Sequence, residues 1–562
     1  MRVSLKEWTK SGEPWVWLNA GAVAICLIMV VGLLSLIAVR GLGHFWPANI
    51  HQADYTENGN TLRMAGELVE IENVPAAQLR ESGVNVPEGL EFMQRDLMKI
   101  GNRDVGGSDF IWVLDDFMLN RSTPEMMFAA ERREWGNFYG YLRSLKENGQ
   151  VVASHDGYEK NAEYMNVWNK FQASIDRALD LHHQIETIEK DDIGAINYEL
   201  ERLRLKERSL QLKEVTDQSR YAEIDQRRKE LDVEYQSLQQ VLLDLYTQIN
   251  RDTFTAEAAG GQILEIDVAK VVRAFLPNNM SITDKVLHYF AKIWEFMSAD
   301  PREANTEGGI FPAIFGTVMM VILMAVMVTP FGVIAAVYLR EYAKQGFVTR
   351  LIRIAVNNLA GVPSIVYGVF GLGFFVYFLG GHIDDAFFPE AKPAPTFGTP
   401  GLMWASLTLA LLTVPVVIVA TEEGLSRIPR AVREGSLALG ATKAETLWKV
   451  VLPMASPAMM TGVILAIARA AGEVAPLMLV GVVKLAPSLP LDTNYPYLHL
   501  DQKFMHLGFH IYDVGFQSPN VEAARPLVYA TALLLVIVIA LLNFSAIAIR
   551  NHLREKYKAL EM

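Results

Sequence analysis

The chain has 562 residues, of which 51% are hydrophobic and 20% are charged, and its formal net charge is −12. This length exceeds an ordinary single domain, and the composition excludes a disordered, collagen-like or disulfide-rich protein. The one cysteine, Cys26, lies in an apolar stretch, which excludes an intrachain disulfide and a cysteine-ligated metal cluster. The acidic balance argues against nucleic acid as a partner. The apolar residues must therefore be separated from a large polar region, as in a membrane protein.

Six stretches are long enough to cross a membrane, because about 20 apolar residues of helix span a hydrocarbon core of about 30 Å. Five of them contain no Asp, Glu, Lys or Arg, and the sixth is interrupted only by Arg469 and Glu473. The stretches are residues 14–39, 310–339, 354–381, 393–421, 450–483 and 526–549. We therefore predict a mainly helical chain with six membrane spans.

Basic residues cluster in alternate connections between these stretches, and such segments resist translocation. They are Arg2, Lys6, Lys10, Arg340, Lys344, Arg350, Arg353, Arg427, Arg430, Arg433, Lys443, Lys449, Arg550, Arg554, Lys556 and Lys558. With six spans, all of these segments share one side. This predicts a multi-pass membrane protein with both termini in the cytoplasm, which in a Gram-negative bacterium would lie in the inner membrane. A retained first span is favoured over a cleaved signal peptide, since the apolar stretch is long and no A-x-A-like site precedes Arg40.

This topology divides the chain into residues 1–40, a periplasmic insert at 41–309, and a membrane core at 310–562. Within the insert, about residues 158–250 read as a helical hairpin. One arm has apolar positions at 3-4 spacing from Tyr221 to Ile249, and a weaker stripe between residues 171 and 188 supplies the other. We predict a break at residues 191–194. An intramolecular antiparallel hairpin is favoured, while a dimeric coiled coil or one longer helix stays open.

The sequences around this hairpin predict a small mixed domain that is split along the chain. Residues 61–74, 110–114 and 262–272 carry short β-like runs, and residues 124–146 read as a helix. Histidine pairs occur at positions 182–183 and at positions 506 and 510, but neither has an evident third ligand. We interpret both pairs as surface residues and predict no metal site and no cofactor.

The connection between the fourth and fifth stretches, residues 422–453, contains a spaced motif. Its residues are Arg433, Glu434, Gly435, Ser436, Gly440, Ala441, Leu452 and Pro453. Small side chains after Glu434 let a short helix seat closely against a partner, and Gly440 permits a turn. Pro453 suits the start of the next helix. Arg433 and its basic neighbours can pair with acidic groups on that partner.

Arg469 and Glu473 are four residues apart, so on one helix they share a face and can pair. Each charge costs about 2.5–3.5 kcal/mol in a membrane helix on insertion scales, which makes the pair a candidate for a transport path. A structural ion pair that locks the fifth span to a neighbour is the alternative. For an oxyanion in transit, Arg469 can offset desolvation while Glu473 prevents binding that is too tight.

The motif at residues 433–453 resembles the EAA loop of ABC-transporter permeases, with Gly435 and Ser436 in place of two alanines. Residues 308–314, 359–368 and 468–477 are similar to membrane subunits of the bacterial phosphate-specific transporter. The Gly-Glu-x-Ala-Pro-Leu form in the last of these resembles the A-type, PstA-like, permease. The resemblance covers the first span and about residues 285–558. The insert departs from compact family members, in which this external loop is short.

The resemblance implies the type I ABC importer fold and a role in moving inorganic phosphate across the inner membrane. It places Arg469 and Glu473 on the translocation route. No Gly-Lys doublet occurs in the chain, which excludes a P-loop, so ATP must be hydrolysed by a separate subunit and the chain is not itself an enzyme. The implied partners are a second permease subunit, two cytoplasmic ATPase subunits, a periplasmic phosphate-binding protein and membrane lipid.

Two alternatives remain open from the sequence. One is a permease for another oxyanion such as sulfate or molybdate, since an Arg-Glu pair does not distinguish these from phosphate. The other is a membrane-anchored scaffold or sensor whose working part is the periplasmic coiled coil.

Overall fold

The computed structural model describes residues 11–57, 60–81, 83–84, 86, 89–518 and 521–557. In this part of the chain, six helical segments are long and apolar enough to cross a membrane. Spans 1 to 6 are Glu13–Gly43, Phe311–Tyr342, Ser364–Phe387, Leu402–Arg427, Lys443–Ala471 and Ala524–Lys556. The prediction of a mainly helical, multi-pass membrane protein with six spans is confirmed. Four of the basic residues used for orientation, Arg2, Lys6, Lys10 and Lys558, lie outside the described residues.

The first half of the insert is an antiparallel sheet that follows helix α1 (Glu13–Gly43). Its strands are β1 (Ile50–Glu57), β2 (Asn60–Pro75), β3 (Phe92–Lys99), β4 (Phe110–Leu114) and β5 (Met118–Ser122), in the order β4-β3-β2-β1-β5. Short helices α2 (Ala76–Glu81) and α3 (Arg103–Gly106) connect them. The strands predicted at residues 61–74 and 110–114 are β2 and β4.

A second antiparallel sheet forms the rest of the mixed domain. Its strands are β6 (Phe128–Arg132), β7 (Phe138–Glu147), β8 (Gln150–Ser154), β9 (Asp252–Ala258), β10 (Ile263–Asp267) and β11 (Val271–Phe275). They are ordered β10-β9-β7-β6-β11, with β8 paired to β7. The prediction of a helix at residues 124–146 is wrong, because this segment forms β6 and most of β7. Strand β6 is buried on both faces, which removes the alternation that marks a strand, and Gly136, with φ at 69°, turns the chain between β6 and β7.

The helical hairpin, residues 162–249, is inserted between β8 and β9. It consists of α4 (Ala162–Thr187), a π-helical turn at Ile188–Asp192, α5 (Ile193–Leu212) and α6 (Gln218–Ile249). The break predicted at residues 191–194 is wrong. The π-turn lets the helix continue, and a glycine at position 194 costs a helix only about 1 kcal/mol. The chain reverses instead at residues 213–217, where Glu214 has φ at 52°.

The apolar core of the insert lies between the second sheet and the base of this hairpin. Phe128 of β6, Phe171 of α4 and Phe254 of β9 are fully buried there, and the ring centroids of Phe171 and Phe254 are 4.7 Å apart. Partway along its length, the hairpin contacts the membrane region. The rings of Tyr198 and His499 are 5.8 Å apart, so α5 touches the connection between spans 5 and 6.

The last part of the insert and the membrane region follow in chain order. The last part of the insert contains α7 (Ile282–Ser298) and strands β12 (Pro301–Arg302) and β13 (Glu307–Gly308). The membrane region contains α8 (Phe311–Val337), α9 (Phe347–Leu359), α10 (Ser364–Phe370), α11 (Gly381–Phe387), α12 (Leu402–Arg427), α13 (Arg430–Ala438), α14 (Lys443–Thr446), α15 (Leu452–Ala471), α16 (Leu477–Val480), α17 (Leu507–Tyr512) and α18 (Val521–Tyr557). Further π-helical turns continue α8, α10, α14 and α17. Span 3 begins at Ser364 rather than at residue 354, because Pro363 separates α10 from α9.

Helix α12 is the centre of the membrane region and packs against both α8 and α15. Two glycines allow the close approach of α12 and α15. A Cβ atom at Gly462 would lie 2.7 Å from Cβ of Ala420, and one at Gly424 would lie 2.5 Å from Cβ of Ala458. Small residues at such contacts let helix backbones approach in a membrane, where packing rather than hydrophobicity drives association.

Buried ion pairs join the sheets of the insert to α7, the helix that precedes span 2. Lys292 of α7 donates to Glu131 of β6 at 2.9 Å, and Glu295 of α7 lies within 3.1 Å of both Arg273 and Arg302. Burial opposes ionisation of Glu131, but the neighbouring cations outweigh it and lower the pKa of this carboxyl to about 2. The insert is therefore fastened through α7 rather than tethered by a flexible linker.

Candidate functional site

The EAA-like loop, defined as residues 430–453, is two helical segments joined by a tight turn. Helix α13 ends at Ala438, and Gly440 reverses the chain with φ at +89°, a conformation that favours glycine. Thr442 then caps α14 through a reciprocal capping box with Glu445. The turn predicted at Gly440 is thus present. The left-handed backbone of Gly440 ends the first segment, and the capping box begins the second.

The outer surface of this loop faces away from the rest of the chain. Glu434 is exposed, and an added Cβ at Gly435 or Gly440 would meet nothing within 4 Å. Leu439 is 92% exposed, and Leu437 beside it is also exposed. An acidic group, two positions without side chains and two apolar side chains of this loop are therefore accessible to a partner.

Arg433 does not belong to this surface, which corrects its predicted role in pairing with a partner. Its guanidinium donates to Glu341 at 3.0 Å and to the carbonyls of Leu425 and Ile428 at 2.7 and 3.0 Å. These carbonyls lie at the end of α12, where helix carbonyls lack partners within the helix. Arg433 thus fastens α13 to the ends of spans 2 and 4.

Glu341 is a contact residue of this loop that the sequence analysis missed. It follows α8 at the end of span 2, where a lone acid between Arg340 and Lys344 was the available signal. Its carboxylate accepts from Arg433, and its carbonyl accepts from Lys443 at 2.6 Å. Glu341 therefore contacts both helical segments of the EAA-like loop.

The remaining motif residues stabilise the loop from within. Ser436 Oγ lies 2.9 Å from Thr446 Oγ1, and the Ala441 N–H donates to the Ser436 carbonyl at 3.3 Å. Leu452 packs against a buried apolar cluster that includes Leu425. These contacts hold the two segments of the loop in a fixed relative position.

Pro453 is the second residue of α15, so it lies in the first turn of that helix as expected. Span 5 nevertheless extends from Lys443 to Ala471, because α14 and a π-helical turn lead into α15 without a break. The π-helical turn at Leu447–Val451 immediately precedes it. A proline removes one backbone hydrogen bond and crowds the preceding turn, and a π-turn is one way in which a helix accommodates such an irregularity.

Arg469 and Glu473 lie 3.8 Å apart at the end of span 5 nearer the insert, and both side chains are partly exposed. They are not on one helix as predicted. Helix α15 ends at Ala471, and Gly472 is its C-cap, so Glu473 lies in the following turn. Arg469 occupies the last helical turn, where a cation interacts favourably with the helix dipole. The pair is present, but it marks a helix end rather than the face of a continuous span.

Span 3 packs beside this helix end. A Cβ at Gly368 would lie 2.7 Å from Cα of Pro476, and one at Gly371 would lie 3.0 Å from the Val480 side chain. These two glycines therefore permit contact between span 3 and α16. Gly373, by contrast, has open space where a Cβ would stand.

The histidines at positions 506 and 510 are buried, which corrects their interpretation as surface residues. His506 accepts from the Gly508 N–H at 3.1 Å and caps α17. Burial lowers the pKa of His506 to about 3 and that of His510 to about 4. Both are therefore neutral structural residues at the insert end of the membrane region.

Comparison with known proteins identifies relatives of the membrane region. Residues 328–559 match the family model described as binding-protein-dependent transport system inner membrane component. The chain is 36% identical over 245 residues to phosphate transport system permease protein PstA 1 of Mycobacterium tuberculosis H37Rv, covering 43% of this chain and 70% of that protein. It is 31% identical over 251 residues to PstA of Yersinia pestis, covering 45% and 75%.

Two further similarities cover 35% and 43% of this chain. The probable ABC transporter permease YqgH of Bacillus subtilis is 32% identical over 203 residues, which are 35% of this chain and 62% of that protein. An inward-facing structure of the MetNI methionine ABC transporter is similar over 43% of this chain and 94% of that chain, at 20% identity and a TM-score of 0.32. The family match leaves the insert outside its bounds.

Proposed function

Because the chain belongs to the family of binding-protein-dependent transport system inner membrane components, as a PstA-like permease, we propose that it is one permease half of an ATP-driven phosphate importer. The observation that carries this proposal is the EAA-like loop, whose accessible side presents Glu434, two glycines and Leu439 while its other side is fastened to the chain. The phosphate substrate rests on the names of the two PstA relatives.

The EAA-like loop is the docking element for a separate ATPase subunit. Open space at Gly435 and Gly440 allows a partner surface to approach the backbone, and Leu439 supplies an apolar side chain to bury. The contacts of Arg433 and Lys443 with Glu341 connect this loop to the end of span 2. Movement of the ATPase is therefore transmitted to the spans through charged contacts rather than through a flexible connection.

The complete assembly contains this chain, a second permease, two ATPase subunits and a soluble phosphate-binding protein. It lies in the bacterial inner membrane. The basic connections, which include Arg353, Arg427 and Arg430, face the cytoplasm together with both termini. This orientation puts the EAA-like loop on the side where ATP is available and residues 41–309 in the periplasm, where the binding protein delivers its ligand.

Arg469 and Glu473 line the translocation path. Their separation of 3.8 Å and their partial exposure leave the guanidinium with capacity for another acceptor. A phosphate oxyanion that leaves water can take that position while Glu473 limits how tightly it is held. The position of the pair at the insert end of span 5 supports a role near the periplasmic entrance.

Phosphate uptake by the reconstituted assembly tests the role of the EAA-like loop. Glu434→Ala should reduce uptake strongly, with ATPase activity no longer stimulated by loaded binding protein, while the amount of inserted permease stays unchanged. Glu423→Ala is the matched control, because Glu423 is another exposed acid one helix earlier. Normal coupled uptake in the Glu434→Ala variant would contradict the proposed docking role.

Competition for uptake tests the substrate. Excess unlabelled phosphate should suppress uptake of radiolabelled phosphate, whereas sulfate and molybdate should not. Suppression by sulfate or molybdate at the same concentration would assign the chain to another oxyanion importer instead.

A further inference from the structure

Helix α7 has an inverted arrangement of polar and apolar residues. It begins at a capping box between Ser281 and Asp284, and it runs for 17 residues to Ser298, just before span 2. At about 100° per residue, its exposed large apolar side chains fall within an arc of about 140°. They are Ile282, Val286, Leu287, Phe290 and Trp294. The exposed face of α7 is thus its apolar face.

The charged face of the same helix is turned inward. Lys292 and Glu295 enter the ion-pair network with the insert, and Lys285 donates to Asn49 at 2.7 Å. The ring of His288 packs against that of Phe275, with centroids 4.4 Å apart. In water, an amphipathic helix buries its apolar stripe and exposes its charges. The reverse arrangement indicates that the medium outside α7 is apolar.

The position of α7 identifies that medium. Its rings contact residues just beyond span 1, since Phe296 lies 5.0 Å from Phe45 and Tyr289 lies 5.9 Å from Trp46 between centroids. At its other end, the Ile310 N–H donates to the Phe296 carbonyl at 2.9 Å, one residue before span 2 begins. The helix therefore lies beside the insert-side ends of two membrane spans.

We propose that α7 lies in the membrane interface and buries its exposed face in the lipid leaflet on the insert side. Phe290 and Trp294, which are 63% and 68% exposed, enter the boundary between headgroups and acyl chains, where aromatic side chains are enriched. The charged face stays above this boundary and holds the insert. The insert is thereby fixed at one height and one tilt relative to the bilayer, which its connection to α1 alone does not achieve.

Spin labelling of the complete assembly in vesicles of phosphatidylethanolamine and phosphatidylglycerol tests this proposal. Cys26 is the one cysteine, so Cys26→Ser provides the background for single labels at Phe290→Cys and, on the same face, Leu287→Cys. Val23→Cys on span 1 is the lipid-exposed control, and Ser237→Cys on the hairpin is the water-exposed control. Collisions with oxygen and with a water-soluble nickel chelate report the environment of each label.

Both α7 labels should collide readily with oxygen and rarely with nickel, giving an accessibility ratio severalfold above that of position 237 and near that of position 23. A ratio equal to that of position 237 would place α7 in water and overturn the proposal. Protection from both reagents would also overturn it, because a protein surface, such as the second permease, would then cover this face.

Discussion

Replacing Arg433 with alanine is expected to release the EAA-like loop from the end of α12. The guanidinium makes three hydrogen bonds of 2.7 to 3.0 Å, one to Glu341 and two to carbonyls of α12 and its C-cap. The side chains of Arg433 and Glu341 are only 20% and 14% exposed. Hydrogen bonds to charged groups contribute about 1.5–3 kcal/mol each, but they are not additive, and residual solvent screening weakens them. We expect a loss of about 3 kcal/mol, which is about a hundredfold in the opening equilibrium of α13.

Hydrogen–deuterium exchange of the purified permease measures this opening directly. Peptides that cover Arg430–Ala438 should exchange about a hundredfold faster in Arg433→Ala than in the parent protein. Arg427→Ala is the matched control, because Arg427 is 77% exposed and its pair with Glu423 spans 3.7 Å. Such a surface pair contributes about 0.3–0.5 kcal/mol, so the control should change exchange about twofold. Equal exchange in the two variants would refute the fastening role of Arg433.

Three further outcomes follow from the structure. Gly440→Val should cost about 1–2 kcal/mol, because φ is +89° there, whereas Gly440→Asn should retain more phosphate uptake since asparagine tolerates this conformation. Gly462→Leu should lower the thermal unfolding temperature of the purified permease through a clash between α12 and α15, whereas Gly373→Ala, which enters open space, should not. Stability should fall from pH 6.5 to pH 5 by about 2 kcal/mol for each of His506 and His510, because the unfolded chain binds protons there that the buried rings do not. His506→Gln should flatten this pH dependence of thermal unfolding, and an unchanged slope would contradict it.

The membrane spans and the EAA-like loop could be predicted because their signals are local. A long run of apolar residues forms a helix in a membrane, because other backbone conformations would leave polar groups unsatisfied. The turn at Gly440 depends only on the conformation of that one residue. The break within the hairpin could not be placed in the same way. Residues 191–194 carry every local mark of a helix end, but packing of the arms and a π-turn carry the helix through them.

The other wrong predictions concern residues whose structural role depends on tertiary contacts. Strand β6 lacks alternation because that strand is buried on both faces. Arg433 looks like any other loop cation because its partner, Glu341, is distant in sequence. His506 and His510 lie in a polar connecting segment, yet the ends of spans 2 and 6 bury them. These contacts join residues far apart in sequence, so no local sequence pattern indicates them.

The contact between Tyr198 and His499 couples the position of the hairpin to the membrane region. The hairpin is held at its base by the core of the insert, and at Tyr198 it contacts the connection between spans 5 and 6. Helix α6 alone has 32 residues, or about 48 Å at about 1.5 Å per residue. A rocking motion of about 10° at its base would sweep the far end of such a rod through about 8 Å. Such a rotation would therefore produce a displacement large enough to follow with a pair of fluorophores.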